Sequence, residues 1–460
     1  MRYLRNSMAN RQAMLRATGH SRIDELFSQI RDDLKFKGKL NLPGPPSETE
    51  ILQYFEQAAA ESSREYTSLL GAGAYSDYCP VVVDALLSRS EFFTAYTPYQ
   101  AELAQGTLQA MLEFQTMMTQ LTGQEVRNAS LYDGSPATTE AALMAMRVMR
   151  RIRMVLARTL NPEYRQVMRT YGRHQNVELL VETPYAASGQ VDPSQLEAAV
   201  DAQTAAVVAQ SPNFFRALER IPEIASIADR AGALLIVTIT EPLSLAVVKP
   251  TADAHIVCGE AQSFGVPVAF GGPYLGFLAT HEKFIRQMPG RLVGQTVDTE
   301  GRRGFVLTLA PREQHIRREK ATSKICTNQL LCALAATIYI SLLDKNGLRL
   351  LAEQNLAKAH YAATQLREIS GVSIPFTAPC FNEFVVKVPG PAERLLKESL
   401  REKIIGGLHL GDFYPELVNH LLLWFTELAS RSAFDRFVEV CRKAEAKSYQ
   451  SSVVGTEAGL

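Results

Sequence analysis

The stretch GEAQSFGVPVAFGGP, Gly259–Pro273, follows a short apolar run, AHIVC, and ends in a glycine pair and a proline. In one large class of enzymes a strand-to-loop passage of this kind carries the lysine that forms a Schiff base with pyridoxal phosphate (PLP). Here Gln262 and Ser263 stand in the loop and no lysine does. PLP chemistry also needs an acid to keep the pyridine nitrogen protonated and backbone amides, commonly at a helix N-terminus, to hold the phosphate. The acid is in doubt: ALLIVTITEP ends its strand at Thr238, and Glu241 follows three residues later. The phosphate loop has a candidate, because Asp133-Gly134-Ser135-Pro136 precedes a helix, with Ser135 as N-cap and Pro136 in the first turn. An ordinary capped helix has the same residues, and an inward Asp133 would repel a phosphate.

Other lysines are poorly placed. Between His174 and His281 the only one is Lys249; Lys320 and Lys324 follow in RREKATSKICTNQ, where a solvated or anion-binding basic run is the simpler reading. No other chemistry fills the gap. The eight histidines are dispersed, with no H-E-x-x-H pair, so no metal site is expected. There is no G-x-S-x-G elbow and no Walker loop, and GAGAYSDY lacks the strand–helix context of a dinucleotide site.

The 460 residues carry 48 basic and 48 acidic side chains, a formal net charge of +0, which argues against a nucleic-acid or polybasic membrane binder. Six scattered cysteines without a C-x-x-C pair point to a reducing compartment. The N-terminus has no continuous apolar core, and stretches such as LLCALAATIYISLL fall short of a membrane span. A soluble, cytoplasmic protein is expected.

Elements must position these residues. SRIDELFSQI reads as a helix from Ser21, and Ser47 with Glu50 has capping-box spacing. YQAELAQGTLQAMLEFQTMMTQLTG is a long helix ending at Gly123. VELLVET, TAAVVAQ, ALLIVTI and AHIVC read as strands, the last two continuously apolar, with the helical IPEIASIADRAG between them. Such alternation implies a mainly parallel sheet covered on both faces, running to about the GFVLTL strand. After it a largely helical segment breaks near Asn346-Gly347, and NEFVVKV, PAERLLKESLREK, HLLLWFTE and SAFDRFVEVCRKAEAK alternate as a smaller domain. The expected organisation is a helical arm (1–70), a large α/β domain (71–327), a smaller C-terminal α+β domain (328–448) and a tail (449–460).

LLGAGAYSDY, TAYTPYQAELAQG, LTGQEVRNASLYDGSPATTEAALMA, QSPNFF, GEAQSFGVPVAFGGPYLGF and REKATSKICTNQ together carry a resemblance over nearly the whole chain. The sequence resembles the P-protein family of the glycine cleavage system, on the side of the first subunit of its two-chain form. The resemblance implies a type I PLP fold and an α2β2 heterotetramer whose second subunit holds the lysine and PLP. The complex decarboxylates glycine, releases CO2 and passes the aminomethyl group to the lipoyl arm of the H-protein. Gln262 or Ser263 then marks a vestigial lysine position. Tyr96, Thr97, Tyr99 and Gln100 are the candidates for completing the partner's site, although a packed interface would use tyrosines too. Three positions depart from the family pattern: Arg216 replaces a glycine after PNFF, Thr240-Glu241 stands for an aspartate before PLSL, and Lys324 for an asparagine. Two alternatives remain open: an independent aminotransferase or lyase using Lys320 or Lys249, and a purely structural or regulatory partner.

Overall fold

The structure, a computed structural model, describes residues 6–61, 65–93, 97–173, 179–249, 252–269, 271–323 and 328–443. Tyr96, Lys324 and the expected tail 449–460 lie outside them. Residues 1–65 and 66–460 form two units.

In the first unit, Met8–Ala17 and Glu48–Ala60 are α-helices, and Ser47 and Glu50 close the expected capping box. SRIDELFSQI is not an α-helix: only Ile23–Phe27 turns, as a 3-10 helix. Glu25 is occupied in accepting the Ser21 N–H and hydroxyl, and no buried face exists to pull a longer helix together. Neither α-helix buries a residue, and Ile51, Leu52, Tyr54 and Phe55 are exposed on the second.

Among the described residues the second unit has fourteen strands: β1 (Thr67–Ser68), β2 (Val126–Arg127), β3 (Arg153–Ala157), β4 (Leu179–Thr183), β5 (Thr204–Gln210), β6 (Leu234–Ile239), β7 (Ile256–Glu260), β8 (Gly276–Thr280), β9 (Val293–Val297), β10 (Arg303–Leu307), β11 (Glu383–Lys387), β12 (Ile404–Ile405), β13 (Leu408–His409) and β14 (His420–Trp424). The main sheet runs β2-β8-β7-β6-β5-β3-β4, and β8 is antiparallel to both its neighbours. Alternate residues leave opposite faces. Val207, Leu235, Val237 and Val257 meet Ala333, Ala336 and Tyr339 in one core, while Met154, Val208, Ile236 and Ile256 meet Ala137, Ala141 and Met144 in the other. Burial on both faces explains the unbroken apolar runs, each such side chain contributing about 1.5–3 kcal/mol.

Several sequence expectations are revised. GFVLTL does not join the main sheet; it forms a separate hairpin, β10 with β9. The sheet also includes β3 and β8, whose short segments RMVLA and GFLAT give little sequence signal. The long helix begins at Gln105 and ends as expected, with Gly123 left-handed at φ 72°. Residues 66–70 leave the arm: Thr67 and Ser68 pair with Ile404 and Ile405. The chain break within Asn328–Arg367 is at Asp344 (φ 54°, ψ −168°), whose carboxylate accepts from the Asn346 and Gly347 amides and so restarts the helix. Gln329–Arg367 is long and apolar enough to cross a membrane by composition, but Ala333, Ala336, Tyr339, Ala352, Ala359 and Leu366 along it are core residues. β11, β14 and β13 form a three-stranded antiparallel sheet, packed beside Ala392–Arg401 and the helix 431–443.

Candidate functional site

The carboxyl ends of β5, β6 and β7 converge with the N-terminus of Gly134–Met149, the usual ligand crevice of an open α/β sheet. Each candidate position there is filled by a side chain bound to the protein itself.

Gln262 is 1% exposed. Its Oε1 accepts from the Tyr75 amide at 2.9 Å, and its Nε2 donates to the Tyr75 carbonyl at 2.8 Å and the Val266 carbonyl at 2.6 Å. The side chain is a clamp on the GAGAYSDY loop. Ser263 Oγ donates to Glu241 Oε1 at 3.0 Å. Glu241 also accepts from the Leu243 amide and from Asn382 Nδ2, and burial pushes its carboxyl up to about 7. Thr238 is occupied with Thr138, 3.1 Å away.

Arg216 lies beside them, 1% exposed, in the left-handed region at φ 69°. That conformation favours glycine and makes the arginine a strained occupant. Its Nε pairs with Glu383 and its Nη1 donates to Thr240 Oγ1 at 2.8 Å. The guanidinium sits 5.4 Å from the Tyr75 ring centroid. Glu383 accepts from the Ala72 amide at 2.8 Å and from the Tyr75 hydroxyl at 3.0 Å. An ion pair and an aromatic ring thus fill the crevice.

The expected phosphate loop is also revised. The N-cap is Asp133, not Ser135: the helix starts at Gly134, and Asp133 accepts from the Ser135 amide at 2.8 Å. The Gly134 amide donates to Glu260 Oε2 at 2.8 Å. Next to it is a cavity of about 430 Å³ whose charged lining is Asp133, Glu163 and Glu260, with no lysine or arginine. Burial raises the Asp133 carboxyl and pushes that of Glu260 up to about 7. The residues present do not fit PLP: Gln262 and Ser263 stand where a lysine is needed, the Arg216–Glu383 pair lies beside them, and the anion end is acidic. Lys249 and Lys320 are exposed.

The other candidates lie on a separate turn that does not line this cavity. Thr97 and Pro98 are buried, Gln100 is exposed, and Tyr99 is 63% exposed. Arg291 holds Tyr99 twice, donating to its hydroxyl at 3.1 Å and lying 5.5 Å from its ring centroid. Sequence reading missed Glu260, Glu383, Tyr75 and Arg291. A carboxylate ending a wholly apolar strand, as in AHIVCGE, is the one signal that was available, because carboxylates are rarely buried without partners.

The sheet order and the crevice define the fold of the type I PLP-dependent transferases. Solved structures agree. The chain superposes on 92% of its length, and 97% of the other, on a sphingosine-1-phosphate lyase from Burkholderia pseudomallei at a TM-score of 0.61 and 16% identity, a likeness of fold alone. It superposes on an inhibitor-bound glycine decarboxylase (P-protein) of the glycine cleavage system at a TM-score of 0.88 and 38% identity, covering 96% of this chain and 100% of that one. Residues 1–440 match the glycine cleavage system P-protein family, to which the chain belongs. Relatives named probable glycine dehydrogenase (decarboxylating) subunit 1 are 51% identical in Koribacter versatilis (95% of this chain, 98% of the relative) and 52% identical in Solibacter usitatus (95% and 96%).

Proposed function

We propose that this chain serves glycine decarboxylation as the subunit that leaves PLP to a second, lysine-bearing subunit and completes that partner's site at their interface. The observation that carries the reading is the Gln262 clamp: the side chain at the lysine position is spent on Tyr75 and Val266. The exposed lysines Lys249 and Lys320 offer no buried, desolvated amine for a Schiff base, which disfavours an independent aminotransferase or lyase. PLP supplies the electron sink for glycine decarboxylation when bound in the partner. This chain contributes the Thr97–Gln100 turn, with Tyr99 presented to a neighbour and oriented by Arg291. In this reading the assembly is an α2β2 heterotetramer in the cytoplasm, and its acceptor is the lipoyl group of the H-protein.

The test is borohydride trapping of the assembled complex, followed by peptide mapping and a count of PLP per chain. We expect one adduct per second subunit and none on this chain. A stoichiometric adduct on Lys320 or Lys249 would show an independent PLP enzyme instead.

A further inference from the structure

We infer that the Glu260 carboxyl group occupies the helix N-terminus where a phosphate would otherwise dock, closing the site to phosphate-bearing ligands. The inference deepens the reading that this chain holds no PLP, and rests on it. Four backbone amides from three chain segments converge on one carboxylate. Gly134 donates to Oε2 at 2.8 Å, and Oε1 accepts from Ala261 at 3.1 Å, Gln262 at 2.9 Å and Leu275 at 2.9 Å. Such a ring of N–H groups at the head of a 16-residue helix is what a phosphate seeks. Here the acceptor is covalently part of the chain and 1% exposed. Asp133 takes the Ser135 amide as well, and a side-chain carbon on Gly134 would strike the Tyr164 hydroxyl. An incoming dianion would find these amides taken and face Asp133, Glu163 and Glu260 without a cation. Restoring a lysine alone therefore does not restore the cofactor site.

The experiment uses the full-length chain without its second subunit, which in this reading binds PLP itself. Thermal unfolding is followed while inorganic phosphate or PLP is titrated. The wild-type midpoint is expected to stay within about 1 °C, because the amides at this helix end are already taken. Glu260→Ala leaves the Gly134, Gln262 and Leu275 amides orphaned, while Ala261 keeps the Leu275 carbonyl, lowering the midpoint by on the order of 10 °C, and phosphate or formate restores several degrees of it. Gln262→Lys is expected to trap pyridoxal and PLP equally weakly, since the phosphate gains no purchase.

Phosphate stabilisation of the wild-type chain by several degrees overturns the inference. So does a folded Glu260→Ala that no small anion rescues, or a strong preference of Gln262→Lys for PLP over pyridoxal. Should Glu260→Ala not fold, the wild-type titration and Gln262→Lys still decide. A trapped adduct elsewhere on this chain would defeat the partner reading and leave Glu260 in place, so the two failures are distinguishable.

Discussion

Arg216 has the least freedom of the residues in the crevice. Both it and Glu383 are out of water, so each compensates the other's lost hydration. Arg216→Met leaves the carboxylate unpaired and is expected to cost about 3–5 kcal/mol in urea unfolding. Adding Glu383→Gln to that variant is expected to recover at least half of the loss, because the stranded charge disappears. Tyr99 belongs to a different logic, since it is exposed and its partner Arg291 holds it from both the ring and the hydroxyl. Tyr99→Phe in the assembled complex is expected to slow glycine–bicarbonate exchange by about tenfold, ~1.4 kcal/mol, with normal assembly on size exclusion. An unchanged rate would favour a packing role.

Among the elements, the helix Gly134–Met149 does most to place the site. Its N-terminus is pressed against Tyr164 and Glu260, so position 134 has no room for a side chain. Gly134→Ala is expected to cost about 1–3 kcal/mol through overpacking, measured by denaturant midpoint. The sheet beneath it was legible in TAAVVAQ, ALLIVTI and AHIVC because residues buried on both faces are apolar without alternation. RMVLA and GFLAT were not, because Arg153 opens the one and Gly276 the other, so neither reads as an unbroken apolar run. GFVLTL read as a strand correctly but could not reveal its partner, since pairing is decided by what packs alongside.

At the scale of the whole molecule, burial sets the pH response. Glu219, Glu241 and Glu260 have carboxyls pushed up to about 7 by burial, from an ordinary value of 4.5. The folded chain therefore holds these protons more tightly than the unfolded chain. Their contribution to stability is full below pH 4.5, falls as pH rises toward 7 and is constant above, by at most about 3 kcal/mol per group. Urea unfolding between pH 5 and 8 is expected to show that decline, and Glu260→Gln to flatten it by roughly a third. The first unit is another whole-molecule feature. Its two α-helices bury none of their own residues.

The sequence by itself determined the fold class, because the period of apolar residues is a local property of the chain. It also showed the missing lysine, because absence at a motif position needs no coordinates. Family resemblance supplied the turn at Thr97–Gln100, which no periodicity marks. Tertiary structure decided what stands in the lysine's place. Tyr75 and Gln262, or Arg216 and Glu383, are 187 and 167 residues apart in the chain, and only folding brings them together. Burial then makes each carboxylate depend on a partner that no local pattern announces. The loop GEAQSFGVPVAFGGP reads from sequence as a cofactor site lacking its lysine; in the fold its Glu260 and Gln262 side chains are bound to the chain's own backbone.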